Sequence, residues 1–481
     1  MPEAGEREIT LSKGDIINTY TYINLFDSGH WHEFTGIDDF FMEFEYKGRA
    51  ELVIKMFYEG RVRETCRKSL ESRGWRKSSL KLTDPEEYGQ YFFELRSEGA
   101  FSMRNAVYTD HDPAPVDPGV TLGLVICTYD AKNELLRNLK KLKDSFFFKK
   151  NMAGGLDSLY GKLYIYITDN KGELPRKPLG NVSIIHNRNT GGTGGFSKGL
   201  EELKKNRNRT GISHVIFMDD DVDFDSECFY RLFALLSRMK KEHKERPVAG
   251  RMFEPDGFSQ FTALEVWNKG YVKHIGHDLD MTEERNLSDV NDIMKPGAED
   301  IVYGGWWFSC VPFEFAGNNT PLPFFLHCDD VEYGIRIGAS PVILNGIEVL
   351  HDTPENKASP LMAYYDARNM MIVNSVYGLA GSSELLEQWK NRLSSFHEKH
   401  DLDSIGMTVL AMHHFLKGPQ WFLRVNGERL HKELKKRDFS ELRIYDLVGR
   451  VSYKLMWRTV YAWSRIKISG IMKKYEGLKL R

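Results

Sequence analysis

The stretch Val215-Ile216-Phe217-Met218-Asp219-Asp220-Asp221-Val222 decides how this sequence folds. Its apolar half is typical of a strand buried on both faces of a parallel sheet, where acids fit only as the strand emerges into a loop. Ligands of open α/β sheets bind outside the carboxyl ends of the strands, so we expect a crevice here. Three adjacent carboxylates repel one another, and a hard divalent cation held with a phosphate relieves that repulsion. A solvated acidic turn is the alternative.

Size and composition narrow the class of protein. A chain of 481 residues predicts two or three domains. A net charge of −2 argues against general nucleic-acid binding. The five cysteines are scattered without a CxxC pair, which indicates reduced thiols in the cytoplasm. The polar N-terminus predicts no signal peptide, and no apolar run is long enough to predict a transmembrane helix.

Residues 1–115 read as an all-β domain, and we predict a β-sandwich resembling carbohydrate-binding domains. Two apolar stretches, 40–46 and 50–58, flank a turn signal at Lys47-Gly48. Trp31 and Trp75 could line a sugar-binding face, but we favour the sandwich core for them. The proline-rich piece 111–119 reads as a linker.

Residues 116–360 read as a Rossmann-like, mainly parallel sheet. Four apolar strands are predicted at 120–129, 163–170, 182–187 and 215–218, each ending in polar residues. Helical patterns between them indicate βαβ units, which align the polar strand ends along one edge. Between the third and fourth strands lies a glycine-rich stretch, 187–200. It matches neither the GxGxxG motif of dinucleotide-binding proteins nor the P-loop. Its glycines could let the backbone approach a ligand at the N-terminus of the next helix, and the alternative is a flexible loop without a ligand.

Three later motifs complete the pattern: the pair Trp306-Trp307, the acids Asp329-Asp330 after an apolar run, and His351. Taken alone, the indoles of Trp306 and Trp307 read as core, and His351 reads as a satisfied histidine. If the ligand is a nucleoside diphosphate-sugar, Asp219 and Asp221 could bind Mn²⁺ or Mg²⁺, with His351 completing the protein ligands.

A poor hydroxyl nucleophile then needs a carboxylate base, for which Asp330 or Asp329 is the candidate. One displacement at the anomeric carbon would invert its configuration. The two indoles would offer stacking surfaces to an acceptor sugar.

Residues 361–481 read as a helical C-terminal region, with helices at 383–391 and 402–415. After residue 450, cations interleave with apolar residues as in a basic amphipathic helix drawn to anionic lipid. We favour this membrane-associating tail over a terminal helix docked on the body. The protein is then expected to be cytoplasmic and peripheral on the inner face of the cell membrane.

The order of these motifs resembles the GT-A glycosyltransferases of family 2. It is most similar to the galactofuranosyltransferases that build the mycobacterial cell-wall galactan, which also carry an N-terminal β-sandwich and a C-terminal helical region. The motifs that carry the resemblance are Cys127-Thr128-Tyr129, Asp169-Asn170, Asn189 with its glycines, Asp219-Asp220-Asp221, Trp306-Trp307, Asp329-Asp330-Val331-Glu332-Tyr333 and His351.

The resemblance implies roles for these residues. Asp219 and Asp221 would hold the metal with His351, Asp330 would be the catalytic base, and Asp220 would face the ribose or diphosphate. Residues in contact with UDP would be Thr128, Asn170 and Asn189. The acceptor would be bordered by Trp306, Trp307, His327 and Asp329.

The expected function is therefore an inverting, metal-dependent transfer of galactofuranose from UDP-galactofuranose to a glycan or lipid-linked glycan, in cell-wall galactan or O-antigen synthesis. Transfer from UDP-galactopyranose or dTDP-rhamnose is an alternative. A non-catalytic carbohydrate-binding protein and a metal-dependent phosphohydrolase are further ones. The resemblance permits a homo-oligomer, and the motifs leave the linkage, the acceptor and the number of sugars per encounter open.

Overall fold

A computed structural model describes residues 8–82, 87–111, 116–150, 159–175, 180–288, 300–353, 359–437, 439, 464 and 467–478. The strands are β1 Glu8–Leu11, β2 Ile16–Asn18, β3 Phe26–Asp27, β4 Phe40–Tyr58, β5 Arg61–Lys81, β6 Gln90–Asp110, β7 Leu122–Thr128, β8 Leu163–Asp169, β9 Val182–His186, β10 His214–Asp219, β11 Val248–Ala249, β12 Arg251–Phe253, β13 Ser259–Thr262, β14 Leu264–Asn268, β15 Tyr271–Ile275, β16 Leu279–Asp280, β17 Ile301–Tyr303, β18 Ser309–Pro312 and β19 Glu348–Leu350. The α-helices are α1 Ser28–Thr35, α2 Lys132–Lys143, α3 Gly191–Thr210, α4 Glu227–Arg238, α5 Glu284–Ser288, α6 Phe313–Asn318, α7 Asp329–Ile337, α8 Pro360–Tyr377, α9 Ser382–Glu398, α10 Leu402–Phe415, α11 Pro419–Arg424 and α12 Gly427–Lys435.

The N-terminal strands form one antiparallel network in the order β1-β6-β4-β5, with β2 and β3 also paired to β6. Strands β4, β5 and β6 have 19, 21 and 21 residues, several times the usual length. Register shifts interrupt the pairing of β4 with both neighbours, and such bulges bend a sheet. The sandwich stays a prediction, in which the bent halves of this sheet would form the two layers.

The turn expected at Lys47-Gly48 is wrong, because β4 runs through it as one strand. Gly48 has φ +98°, and a Cβ there would lie 2.0 Å from the backbone oxygen of Ala100. The glycine signal thus marks a bulge with close backbone approach rather than a chain reversal. The reversal comes at Glu59-Gly60, where both residues have positive φ, as a tight hairpin requires.

The central sheet has the order β11-β18-β10-β7-β8-β9. Strands β7 to β10 are mutually parallel, while β18 is antiparallel to β10. Alternate residues of β10 enter hydrophobic clusters on opposite faces of the sheet, Ile216 on one and Phe217 on the other. The apolar run of β10 is therefore a strand buried on both faces, as its sequence predicts. The GT-A classification stays a prediction.

Two smaller sheets lie beside the central one, in the orders β16-β13-β12-β19 and β15-β14-β17. They follow α4 in the chain and carry the edge strand β19, which leads to His351. Helix α8 joins the C-terminal helices to this region, because Asn374 accepts a hydrogen bond from the indole nitrogen of Trp267 at 3.1 Å. The predicted helices at 383–391 and 402–415 are confirmed as parts of α9 and α10.

Much of the tail expected to contact membrane, 440–463 and 465–466, lies outside the described residues. The part at 467–478 packs on the helical region: the ring of Tyr475 stacks on Phe415 with centroids 5.1 Å apart. No described helix combines the length and the apolar character that a bilayer crossing needs. All five cysteines are free thiols.

Candidate active site

The candidate site lies where the strand order of the central sheet changes direction. From β7 the parallel strands continue to β8 and β9 on one side and to β10 on the other. Helices follow β7 and β10 on the chain, so the carboxyl ends of these two strands leave a crevice between them, the usual ligand site of such sheets. Thr128 ends β7 and Asp219 ends β10, so two predicted site residues border this crevice.

A histidine 130 positions away is brought to the carboxylates by the edge strand β19. β19 pairs in parallel with β12, and Leu350 exchanges backbone hydrogen bonds of 2.8 and 2.7 Å with Asp223. The amide of the next residue, His351, donates to the carbonyl of Phe253 at 2.8 Å. Its Nε2 then lies 3.0 Å from Oδ1 of Asp221.

Asp219, Asp221 and His351 form what we call the ligand trio. One ligand atom from each of the three lies within 4.8 Å of the others. The imidazole is 10% exposed and the Asp221 carboxylate 36%, so the trio faces solvent from one side only. Two carboxylates with one imidazole are a donor set that suits Mn²⁺ or Mg²⁺. The residues present therefore fit the metal that the sequence predicts.

The glycine-rich stretch is itself part of a helix, whereas the sequence predicts a loop that leads into one. Helix α3 begins at Gly191, so the glycines form its first turns instead of a loop before it. A Cβ at Gly195 would lie 2.1 Å from Sγ of Cys127, and a Cβ at Gly199 would lie 2.5 Å from Val125. The glycines thus let α3 lie directly on β7, which places its N-terminus at the crevice.

Asn170 anchors the start of α3. Its amide nitrogen donates to the carbonyl of Gly191 at 2.9 Å, and its amide oxygen accepts from Asn187 at 3.0 Å. Asn189 supports the same turn, since its side-chain oxygen accepts from the Gly191 amide at 3.0 Å. The Asn170 amide nitrogen also donates to Sγ of Cys127. The structure therefore brings Asn170 and Asn189 together at the turn that opens α3, and their UDP contacts stay predictions.

Cys127 lies at the bottom of this crevice. Burial raises the pKa of its thiol well above the usual value, and the nearby carboxylates of Asp220, Asp219 and Asp329 raise it further. The thiol is thus a neutral, packed group. Asp329 comes to the same end of β7, because it accepts a hydrogen bond from Thr193, two residues before the Gly195 that packs on Cys127.

Asp329 and Asp330 begin α7, directly after a strained turn. We call residues 325–328 the strained turn, because Phe325, His327 and Cys328 have φ of +80°, +62° and +65°. Left-handed backbone is costly for such residues and clusters at functional sites. The hydroxyl of Thr193 donates to Asp329 at 2.8 Å, so α3 and α7 are joined at the cleft.

Helix α8 holds the strained turn in place. Asn369 donates to the carbonyls of Leu326 and His327 at 2.7 and 2.9 Å, and Arg368 donates to the carbonyl of Phe324 at 2.6 Å. Asp366 accepts from the ring of His327 at 2.6 Å. These contacts satisfy carbonyls that the irregular backbone leaves without helix or sheet partners. The position of the acids that open α7 therefore depends on the C-terminal region.

Ionisation in the cleft is strongly perturbed. Burial raises the pKa of Asp330 well above the usual range, and the carboxylates of Glu265 and Asp329 raise it further. Burial also raises the pKa of Asp329, against the Thr193 hydrogen bond that lowers it. For His327, burial lowers the pKa, but the hydrogen bond and charge of Asp366 outweigh it and leave the pKa raised. A carboxylate of raised basicity is what a general base requires.

Both indoles expected to stack on an acceptor are packed inside the protein. The ring of Trp306 is 5% exposed and stacks on Phe217 with centroids 4.4 Å apart. Trp307 is 8% exposed, on the other face of the sheet, and its indole nitrogen donates to the carbonyl of Gly250 at 2.8 Å. These contacts are those of core residues, the alternative considered from the sequence, and an acceptor role for them stays a prediction.

Sequence reasoning missed three residues that shape the cleft: Thr193, Glu265 and Asn369. Thr193 lies among the glycines, so a hydroxyl at a helix start was its only signal. Glu265 lies in β14 with an ordinary strand sequence, and Asn369 lies in a helix that reads as structural. Their relation to Asp330 depends on contacts between distant segments.

Comparison with known proteins adds a separate observation. Galactofuranosyltransferase GlfT2 of Mycolicibacterium smegmatis is 24% identical over 420 residues, covering 83% of this chain and 64% of the relative. GlfT2 of Mycobacterium tuberculosis is 23% identical over 439 residues, covering 83% and 65%. This chain resembles mycobacterial galactofuranosyltransferases. It spans about two thirds of the length of these curated relatives.

Other comparisons add little. No protein-family model matches the chain. Among solved structures, a family 16 carbohydrate binding module covers 23% of this chain at 12% identity, with a TM-score of 0.15. A xylanase structure with CBM22-1 and GH10 modules covers 35% at 10% identity, with a TM-score of 0.16. TM-scores this low carry no argument about fold or function.

Proposed function

We propose that this chain is a glycosyltransferase that moves galactofuranose from UDP-galactofuranose to a hydroxyl of a glycan acceptor in bacterial cell-surface polysaccharide synthesis. The observation that carries the proposal is the convergence of Asp219, Asp221 and His351 at the crevice, with Asp329 hydrogen-bonded to the first turn of the helix that lies on β7. The likeness to two mycobacterial galactofuranosyltransferases over 83% of the chain supports the choice of galactofuranose as the transferred sugar.

The ligand trio would hold Mn²⁺ or Mg²⁺ in this proposal. Such an ion neutralises the charge that develops on a departing diphosphate. The trio itself offers that ion two carboxylates and an imidazole, and the imidazole is held in place because β19, which precedes His351, pairs with β12 on one side and with Asp223 on the other. Asp220 and the turn formed by Asn170 and Asn189 would line the nucleotide. The helix N-terminus at Gly191 favours the negative charge of its phosphates.

Asp330 would act as the catalytic base. The acceptor hydroxyl attacks the anomeric carbon, its proton passes to the Asp330 carboxylate, and the bond from the anomeric carbon to UDP breaks. One such displacement inverts the anomeric configuration. The raised pKa of Asp330 makes it a stronger base than an exposed aspartate. His327 and Asp329 stand beside it and would border the acceptor.

The direct test is transfer itself. The protein is incubated with UDP-galactofuranose, Mn²⁺ and a galactose-containing acceptor, and the product is measured by mass spectrometry. Asp330→Asn should lower turnover by about 10²–10⁴-fold while leaving UDP affinity nearly unchanged. Asp278→Asn is the matched control, since this exposed carboxylate lies outside the cleft. Folded wild-type protein that transfers no sugar, or an Asp330→Asn variant at wild-type rate, would contradict the proposal.

The identity of the sugar donor is tested by measuring how much each candidate nucleotide sugar raises the melting temperature of the protein. A ligand that binds only the native state raises the melting temperature. UDP-galactofuranose should give the largest rise in a panel with UDP-galactopyranose and dTDP-rhamnose. The rise should require divalent metal and be lost in His351→Gln but kept in Asp352→Asn, which changes the exposed neighbour of the ligand. A larger rise with dTDP-rhamnose would reassign the donor.

We also propose peripheral attachment to the cytoplasmic face of the membrane. The support is the excess of Lys and Arg over acids after residue 450. Replacing Lys454, Arg458 and Arg465 by glutamine, which leaves the packed part at 467–478 in place, should lower co-sedimentation with anionic liposomes, and high salt should do the same to the unsubstituted chain. Sedimentation unchanged by both would refute the attachment.

A further inference from the structure

A cavity of about 630 Å³ lies between helix α3, residues 320–325 and the start of α12. This volume is within the usual range for organic ligands. Asp219, Asp221, His351 and Asp330 are not among its lining residues. The cavity thus does not include the ligand trio or the proposed base, and it adjoins the proposed nucleotide site through Asn189 alone among the residues assigned to the donor.

A buried cation lines this cavity without a counter-ion. Arg368 is 2% exposed and forms no ion pair with any described residue. Its guanidinium donates to three neutral acceptors, Asn369, the Tyr364 hydroxyl and the Phe324 carbonyl. A guanidinium has five N–H groups, so two remain without a protein acceptor in the described chain. Burying a charge is costly unless it is paired.

Aromatic rings compensate for part of this charge. The guanidinium carbon lies 5.2 Å from the ring centroids of Tyr364 and Tyr365 and 5.8 Å from that of Phe422. Cation–π contacts stabilise a buried charge but accept no hydrogen bond from its N–H groups. The unused N–H groups therefore still suit an anion.

Apart from Arg368, the charged side chains that line the cavity leave an excess of positive charge. Arg188 and Lys204 line it without an ion pair to a described residue. Its two acids are already paired, Glu201 with Lys198 and Lys205 and Glu428 with Lys432. The N-terminus of α12, at Gly427, also faces the cavity and adds partial positive charge.

We propose that this cavity binds a phosphate or diphosphate group of an organic ligand other than the sugar donor. Three unpaired cations exceed what one carboxylate requires, and a planar guanidinium recognises phosphate in a bidentate manner. The cavity is larger than a phosphate alone. Its other wall is apolar, formed by Pro321, Pro323, Phe325 and Leu430, so the rest of the ligand is a sugar or an apolar chain. The proposal does not depend on the proposed sugar transfer.

The test is calorimetric titration of the full chain with pyrophosphate in buffer containing EDTA, which keeps divalent ions away from the ligand trio. Arg188→Gln and Lys204→Gln should each weaken binding about threefold to fivefold, as expected for exposed charges. Arg368→Lys should weaken it more than tenfold, because a buried charge-assisted hydrogen bond is lost. Lys390→Gln is the control, since Lys390 is an exposed lysine outside the cavity.

Two results would overturn the proposal. One is wild-type protein that binds no pyrophosphate at millimolar concentration. The other is binding that Arg188→Gln, Lys204→Gln and Arg368→Lys all leave unchanged, which would put the anion outside this cavity. Farnesyl diphosphate, titrated in parallel, identifies the source of the group. Binding at least tenfold tighter than that of pyrophosphate supports a lipid-linked diphosphate, and equal affinity supports a soluble one.

Discussion

Replacing Gly191 by alanine should disturb the cleft more than its position at a helix start suggests. Gly191 has φ +74°, and an added Cβ would lie 2.0 Å from the carbonyl oxygen of Phe325. Left-handed backbone costs about 1–2 kcal/mol in a residue with a Cβ. Separating the two segments adds about 1–3 kcal/mol, as in other overpacked sites. We expect the variant to be destabilised by about 2–5 kcal/mol.

The function of the variant should fall as well. The atom that must move belongs to the strained turn, which immediately precedes Asp329 and Asp330. A displacement of about 1 Å at a reacting group can cost on the order of 10²-fold in rate. We therefore expect turnover in Gly191→Ala to fall by at least about tenfold, even at temperatures where the protein remains folded.

The next residue provides a matched control. Gly192 has no positive φ and nothing within 4 Å of an added Cβ. Alanine is favoured over glycine inside a helix by about 1 kcal/mol, so Gly192→Ala should be neutral or stabilising. Urea denaturation followed by circular dichroism, with initial rates of sugar transfer, compares the two variants. If both behave alike, the contact between α3 and the strained turn does not constrain the cleft.

Three further predictions follow from neighbouring contacts. The Glu265 carboxylate raises the pKa of Asp330, so Glu265→Gln should lower that pKa. The acid limb of the kcat/KM profile should then move to lower pH, because the base loses its proton earlier. A limb that does not move would argue against Asp330 as the base. Asn369→Ala removes two hydrogen bonds to the strained turn and should lower the free energy of unfolding in urea by about 1–3 kcal/mol. It should also lower kcat more than UDP affinity. Equal losses of kcat and of UDP affinity would indicate a general packing defect. Tyr475→Ala removes a fully buried ring stacked on Phe415 and should lower the local free energy of unfolding by about 3–5 kcal/mol. Amide hydrogen exchange at 467–478 should then become faster. Tyr475→Phe keeps the ring and should leave this exchange nearly unchanged.

Much of the site could be predicted from the sequence because its signals are local. A strand buried on both faces reads as an apolar run, and acids at its end identify the ligand-binding edge, as at Asp219 and Asp221. The histidine was found for the same reason, since His351 ends a second apolar run. That His351 meets the two aspartates does not follow from the central sheet alone, because β19 belongs to another sheet and reaches Asp221 through the pairing of Leu350 with Asp223.

Other features depend on pairings that no local pattern encodes. Two tryptophans beside glycines read as core when taken alone, and the stacking of Trp306 on Phe217 is a contact between distant segments that no local pattern shows. The glycine at 48 signals special backbone geometry, but a turn and a bulge share that signal. The support that Asn369 gives to the strained turn is invisible in the sequence, because a buried asparagine in a helix has no pattern of its own.

The route by which β19 delivers His351 has a consequence for biosynthesis. During translation the aspartates leave the ribosome 130 residues before the imidazole, a delay of about ten seconds. A nascent chain that stops short of β19 carries two of the three residues of the ligand trio and lacks the strand that positions the third. If the trio holds a metal as proposed, tight metal retention would report that the chain has been made as far as His351 and paired through Leu350.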